Sequence, residues 1–579
     1  MKKTKKKLLF LILSLLIVLS GCFGNQRRKF DSFMEQLFIN MVGSPLDANF
    51  LVKDAKAFGF EDLKVEPITF SEEDYQDYYQ VMKTLKEELV SFRYENLDPG
   101  RQLTYRVVED YLEINLSYED YYYYENPLGS YLGYQAQLPL VLSEYHFYTM
   151  KDIEDYFDYL ITTRTSFENI IAFENEKSER GFGMNDKQID GIISQCESFL
   201  SAEVNYLIPL FNKKVEGLQF LSLDEKNLYR THNEDLIKNE FLPAYRYLKK
   251  ELAKLKGRAV NNQGLAHFEK GKEYYQVLFR DATGTKLEVA EAYTYLEEKF
   301  EDNFDLFTTL FKQPGVAYKV MSLDSQFSNY TNQGILDFYL ENYQDDFPII
   351  TDVKVKIENI PSSLKENSSP AMYFLSPIDA EVTEVIYIND SIFGDRPAYA
   401  FFTLAHEGVP GHLLQHSILK NSSLPNIRKF ISYKSYSEAW ATYVERFVGE
   451  YTEIDSNVLK AYQLNDELTY LYFCMADIGI NYYGWSIPKF TEFIRDMFQQ
   501  LDSKAIEEIY YQLIEIATNY LEYFFSYHQL LDLKASFIEK SKDLDIGNIN
   551  YEFHNFYLNT GPTPFYILEE EIALYLKRF

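Results

Sequence analysis

Phe402-Thr-Leu-Ala-His406-Glu407-Gly-Val-Pro-Gly-His412-Leu-Leu-Gln415-His416 is the stretch on which the fold and chemistry of this chain turn. The chain has only eight histidines in 579 residues, and His406, His412 and His416 stand together here. The apolar run before His406 predicts a helix that Pro397 opens, since a first-turn residue needs no N–H partner. In His-Glu-x-x-His zinc sites the two imidazoles are four apart, about 40° round a helix, so both face one metal while the Glu addresses the bound water. Here the interval is six, which on a regular helix lies about 240° round. His406 and His412 therefore share a metal only across a local bulge. Pro410-Gly411 gives the cause, because Pro removes a helical N–H and Gly accepts unusual dihedrals. His412 and His416 have the regular four-residue interval and need no bulge, but that pairing leaves Glu407 without a role.

A catalytic zinc takes three protein ligands and keeps one position open. Downstream stands Ser437-Glu438-Ala439-Trp440-Ala441-Thr442-Tyr443-Val444-Glu445, a helix whose aromatic and branched residues predict burial. A carboxylate there is costly unless paired or metal-bound, so Glu438 is the expected third ligand. Glu445, next to Arg446, reads as a solvated or ion-paired acid.

Around this segment helical periodicity dominates. Amphipathic runs occupy residues 74–97, 103–124, 225–256, 286–312, 430–448, 457–479, 503–540 and 564–577, and Thr149 with Asp152 three residues on predicts a helix start. Strand signals are confined to Val353, Val355 and Ile357, alternating with charged residues, and to Glu384 to Asn389. The expected fold class is therefore mainly α, with a small sheet beside the active helix. Residues 31–340 form the expected N-terminal helical lobe and 341–579 the catalytic lobe, the polar loop Asn359 to Pro370 joining parts of one domain. Tyr121 to Tyr124 reads as a helix end with half-buried aromatics. Cys196 falls on the apolar helical face of Ile189, Ile192, Ile193 and Phe199, so it and Cys474 are expected to be buried free thiols rather than a disulfide.

The chain begins with Lys2, Lys3, Lys5, Lys6 and Lys7, an apolar run from Leu8 to Leu19, and then Ser20-Gly21-Cys22. That is an export signal over residues 1–21, too short in its apolar part to span a bilayer, which takes ~20 residues. Leu-Ser-Gly-Cys resembles the bacterial lipobox. The resemblance implies that Cys22 carries acyl chains that hold the protein to the outer face of the cell membrane, with residues 22–30 as lipidated cysteine and tether. A formal net charge of −31 and the lack of any basic run outside the first seven residues exclude a nucleic-acid partner.

Three segments together carry a family resemblance: His-Glu-x-x-Pro-Gly-His-x-x-Gln at 406–415, Glu-x-Trp-Ala-x-Tyr-x-Glu at 438–445, and Phe553-His554-Asn555-Phe556-Tyr557-Leu558 followed by Gly561-Pro562, Pro564-Phe565 and Leu568. They resemble bacterial domain-of-unknown-function family 885, whose members are often exported or lipid-anchored and are similar to helical gluzincin metallopeptidases of the neurolysin and carboxypeptidase Taq groups. The resemblance implies a large helical zincin-like fold, one zinc ion on His406, His412 and Glu438, and Glu407 as general base. It also implies one continuous domain over nearly all the mature chain. Two departures stand out. Ala439 replaces the usual Gly after the liganding Glu, and the family's Pro-Gly-Gln-Ala-x-x-Tyr-x-x-Gly is here Ala517-Thr-Asn-Tyr-Leu-Glu-Tyr523-Phe-Phe-Ser526, matching at Tyr523.

The expected activity is zinc-assisted hydrolysis of oligopeptides outside the membrane. Tyr523 and His554, both in family-like segments, are the candidate donors to the oxyanion. The strand Glu384 to Asn389 is expected beside the active helix, offering its edge to an extended peptide substrate. Two alternatives stand beside this reading: a surface lipoprotein that binds peptide, metal or a partner without catalysis, and a zinc hydrolase of non-peptide amides or esters. Glu407 favours the enzyme, because a mere metal-binding scaffold needs no carboxylate there.

Overall fold

A computed structural model describes residues 26–579 except 352, 361–364, 366–368 and 395. The expected export signal and Cys22 lie outside the described residues. No helix among the described residues is long and apolar enough to cross a membrane.

The protein is mainly helical, with one three-stranded sheet. Three buried apolar clusters organise it. One is built on the helices between Leu128 and Leu255. A second joins Tyr124, the helix Gly271–Thr283 and residues 471–525. The largest gathers the first described helix, Gln26–Met41, with the sheet and the last helix, Phe565–Leu576. Cys196 lies in the first of these clusters and Cys474 in the second, both buried free thiols, as expected.

The predicted helix starts are made as the sequence indicates. Thr149 and Asp152 form a capping box on the 31-residue helix Met150–Arg180, and Gly181 ends it with φ of 89°. Tyr122–Tyr124 form a single 3₁₀ turn with Tyr122 and Tyr124 buried.

The elements that frame the site are few. The strands are β1 (Lys354–Asn359), β2 (Ala371–Tyr373) and β3 (Thr383–Ile388). The helices are α1 (Pro397–Glu407), α2 (His412–Asn421), α3 (Lys434–Phe447), α4 (Ser456–Asn481), α5 (Ser503–Glu515), α6 (Ser526–Ser541) and α7 (Ile549–Thr560). A π-helical turn, Leu521–Phe525, leads into α6.

The sheet order is β1-β3-β2, with β1 parallel and β2 antiparallel to β3. This corrects the expectation for residues 384–389. Residues 383–388 form the central strand, paired along their length with β1 and over Ile386–Ile388 with β2, which is an edge strand. Asn389 N–H donates to Pro370 O at 2.8 Å. Antiparallel alternation then turns Met372 toward β3 and the N–H and C=O groups of Ala371 and Tyr373 outward.

Candidate metal centre and active site

α1 opens at Pro397 and buries Ala398 and residues 400–405, while Tyr399 and, at its C-terminal end, His406 and Glu407 stay partly open. The helix stops at Glu407, Gly408 N–H closing on Leu404 O, and α2 restarts at His412. The sequence predicts a bulge within one helix; the structure has a four-residue break between two. Leu413 N–H reaches back to Gly408 O at 3.2 Å, and the Val409-Pro410 peptide is cis. Glycine is required at 411 by close approach, since a Cβ there would press on the carbonyl oxygens of His406 and Ala405. The break swings His412 back so that its ring lies 4.8 Å from that of His406.

α3 supplies the third group. Trp440, fully buried, donates from Nε1 to Pro410 O at 3.0 Å, fixing α3 against the α1–α2 turn two residues after Glu438. Glu438 Oε2 is then 3.5 Å from His406 Nε2 and 3.6 Å from His412 Nε2, and one ligand atom from each residue fits within 4.8 Å. Those two separations are close to the ~3.3 Å edge of a tetrahedron with ~2.0–2.1 Å bonds. Glu438 Oε2 is buried without a hydrogen-bond partner. Two imidazoles, one carboxylate and an orphaned carboxylate oxygen between them fit a zinc ion.

The electrostatics point the same way. Burial alone would lower His406, but the carboxylates of Glu438 and Glu445 outweigh it and hold the imidazole well above its ordinary range. Burial would raise Glu438, but the His412 and His406 rings hold it well below the usual carboxylate range. The carboxylates thus favour positive charge on the His406 imidazole, and the imidazoles favour the ionised Glu438.

Glu407, the next residue after the first histidine, faces a cavity of about 320 Å³ beside the triad. Its Oε2 accepts from Tyr373 N–H at 2.9 Å, so the edge strand orients it. Ala371 of the same strand lines the cavity, as do Tyr462, Asp466 and Tyr470 of α4. Tyr523, on the π-turn, also lines it, with its ring 6.4 Å from that of His406. Burial, followed by the Glu438 and Glu522 carboxylates, pushes its phenol well above the ordinary value, so the O–H is kept as a donor.

Two sequence readings are corrected. His416 is not brought to the triad: its Nε2 meets Ser376 O at 2.7 Å, in a buried group where Ser376 Oγ and Tyr373 Oη donate to Glu384 at 2.8 Å each. Burial lowers this imidazole to about 4. His554 on α7 is not brought to the cavity either. It is fully buried, stacked on Phe347 at 4.2 Å, with Nδ1 on Asp346 O and Nε2 on Tyr443 Oη. Both ring nitrogens are engaged in the core, so it has nothing to offer a substrate.

Glu445 is ion-paired with Arg446, as the sequence reading expects, and has a second neighbour which that reading did not foresee. Its Oε1 lies 3.5 Å from His406 Nδ1 while Oε2 accepts from Arg446 at 3.2 Å, the place of a carboxylate that steadies a metal-bound histidine. Its spacing of seven from Glu438, two helical turns on the same face, was the available signal. The α4 residues gave none beyond ordinary amphipathic periodicity.

Two solved structures share the fold. A "putative lipoprotein" from Colwellia psychrerythraea matches with a TM-score of 0.82 at 16% identity, over 96% of this chain and 100% of that one. A "putative lipoprotein of unknown function" from Shewanella oneidensis matches with a TM-score of 0.62 at 15% identity, over 94% and 99%. No curated protein matches the sequence. The family model of bacterial proteins of unknown function called DUF885 matches residues 54–572, taking in the sheet, the broken α1–α2 helix and α3 with Glu438, and the chain belongs to that family.

Proposed function

We propose that this protein is a zinc metallopeptidase of the gluzincin type, tethered by acyl chains on Cys22 to the outer face of a bacterial membrane, that hydrolyses oligopeptides. The observation that carries the reading is the convergence of His406, His412 and Glu438 with the Glu407 carboxylate in the adjoining cavity. The lipobox-like start, and the naming of both structural neighbours as lipoproteins, support the tether.

His406, His412 and Glu438 would hold a zinc ion, which would supply a water of pKa near ~7 and Lewis-acid polarisation of the scissile carbonyl. The chain's own groups do the rest. Glu407 takes the proton from the attacking water and passes it to the leaving amine, its carboxylate held in place by Tyr373 N–H. Tyr523 donates a hydrogen bond from its phenol to the developing oxyanion, an interaction whose removal typically costs ~10² to 10³ in rate. The Tyr373 N–H being held by Glu407, the outward Ala371 N–H and C=O and the Tyr373 C=O pair with an extended peptide backbone, which selects substrates by conformation more than by side chain. That geometry favours peptides over compact amides or esters.

The test is mass spectrometry of a mixed peptide pool incubated with the zinc-loaded chain, beside Glu407→Gln. Cleavage by the native chain with loss in E407Q supports the reading. Equal cleavage by both removes Glu407 as base, and no cleavage by either transfers the site to the binding lipoprotein.

A further inference from the structure

We propose that Asp477 is a positioning residue that sets Tyr523 against the triad by pinning Thr518 in a left-handed backbone conformation. The inference rests on the role given above to Tyr523. Asp477 lies in α4, fully buried, and takes no part in the metal centre. Its Oδ1 accepts from Tyr275 Oη at 2.5 Å and Asn481 Nδ2 at 3.3 Å, and its Oδ2 accepts from Thr518 N–H at 2.8 Å. Thr518 has φ of 70°, a region that β-branched residues rarely enter. Such a residue stays there only where its surroundings over-determine it, and the hydrogen bond from a buried carboxylate is that determinant.

The pin acts on the residues just after Thr518. The Thr518 carbonyl accepts from Leu521 N–H at 3.0 Å and Glu522 N–H at 3.1 Å, starting the π-turn that carries Tyr523. The next residue, Asn519, lines both the site cavity and a second cavity of about 240 Å³ bounded by Tyr124, Gln188 and Lys434. The segment is therefore a wall between two cavities, and Thr518 is its hinge point. If Thr518 relaxes to negative φ, the turn rotates and the Tyr523 phenol leaves the oxyanion position.

The test is a cycle on the full chain, read by thermal midpoint and by kcat and KM on a cleaved peptide. Asp477→Asn keeps the volume but faces a donor toward one of the groups the carboxylate accepts from. It is expected to lower kcat about 10-fold or more with KM little changed, as displacement of a reacting group does. Thr518→Gly alone leaves both parameters near native, and added to D477N it restores kcat to within about 3-fold and recovers most of the midpoint, because Gly adopts positive φ without a pin. In a Tyr523→Phe background D477N adds no further loss. Independent effects in either cycle overturn the proposal. If Y523F is as fast as native, or the native chain cleaves nothing, the reading of the site fails instead. The pin is then judged by the midpoint cycle alone, where additivity overturns it. Should D477N not fold, D477N/T518G must; failure of both overturns it.

Discussion

Replacing Gly411 by Ala tests whether the break between α1 and α2 builds the metal centre. An added Cβ meets the carbonyl oxygens of His406 and Ala405, and to open those contacts to 3.0 Å the backbone must retreat by about 1 Å. One of those carbonyls belongs to a ligand residue, and metal–ligand distances tolerate only about 0.2 Å. A shift several times that tolerance is expected to weaken zinc at least ~100-fold, or about 2.7 kcal/mol. Overpacking adds ~1–3 kcal/mol of destabilisation to the metal-free chain. The two effects separate on titration. At zinc 1,000 times the native Kd the native chain gains ~4.1 kcal/mol and G411A only ~1.4 kcal/mol. The assay is competition for zinc against a chromophoric chelator, together with thermal midpoints with and without zinc. Gly217→Ala is the control, since a Cβ there meets nothing within 4 Å. A G411A chain that is folded, by circular dichroism, and that binds zinc as tightly as native would refute the reasoning.

Glu445→Gln removes the charge beside His406 Nδ1 and is expected to weaken zinc by ~10- to 100-fold without unfolding the chain, measured by the same competition; unchanged affinity would reduce Glu445 to a partner of Arg446. His554 supplies a pH test. Burial pushes its imidazole down to about 3 from 6.5, so the folded chain refuses a proton the unfolded chain accepts. Its contribution is complete above pH 6.5 and is lost as pH falls toward 3. Between pH 6.5 and 4.5 it accounts for about 2 kcal/mol of acid destabilisation. His554→Gln should flatten the acid limb of stability by that amount in urea titrations; an unchanged limb would show that this histidine titrates normally.

The meeting of His406 and His412 was legible because histidine is rare in this chain and the His-Glu-x-x-Pro-Gly-His interval demands a break that Pro410-Gly411 can make. Local sequence said how the helix fails but not in which form, since a bulge and a four-residue break satisfy the same spacing. The long helices were legible from periodicity and caps, as with Thr149 and Asp152. Residues 503–540, periodic throughout, are interrupted at Thr518 by a positive φ that no property of threonine announces. The clue lay in the family pattern, which has Gly where this chain has Thr518; a position that favours Gly is one that needs a left-handed backbone. Sheet order was not legible. Glu384 to Asn389 read correctly as a strand, but only the pairing of β2 on its far side shows that the strand is central and that the short segment Ala371–Tyr373 holds the edge. His554 failed as a candidate because a motif position says nothing of burial: the groups that satisfy it, Asp346 O and Tyr443 Oη, come from segments more than a hundred residues away.

Zinc-dependent reconstitution tests the central claim most directly. The chain is stripped with chelator, zinc is returned in steps, and peptide cleavage is followed in the native protein, His412→Ala, Glu438→Ala and His416→Gln. The account predicts that cleavage vanishes on stripping and returns in full at one zinc per chain in the native protein and in H416Q, but not in H412A or E438A. Cleavage that survives stripping, or that returns in H412A and E438A as it does in the native chain, would contradict it.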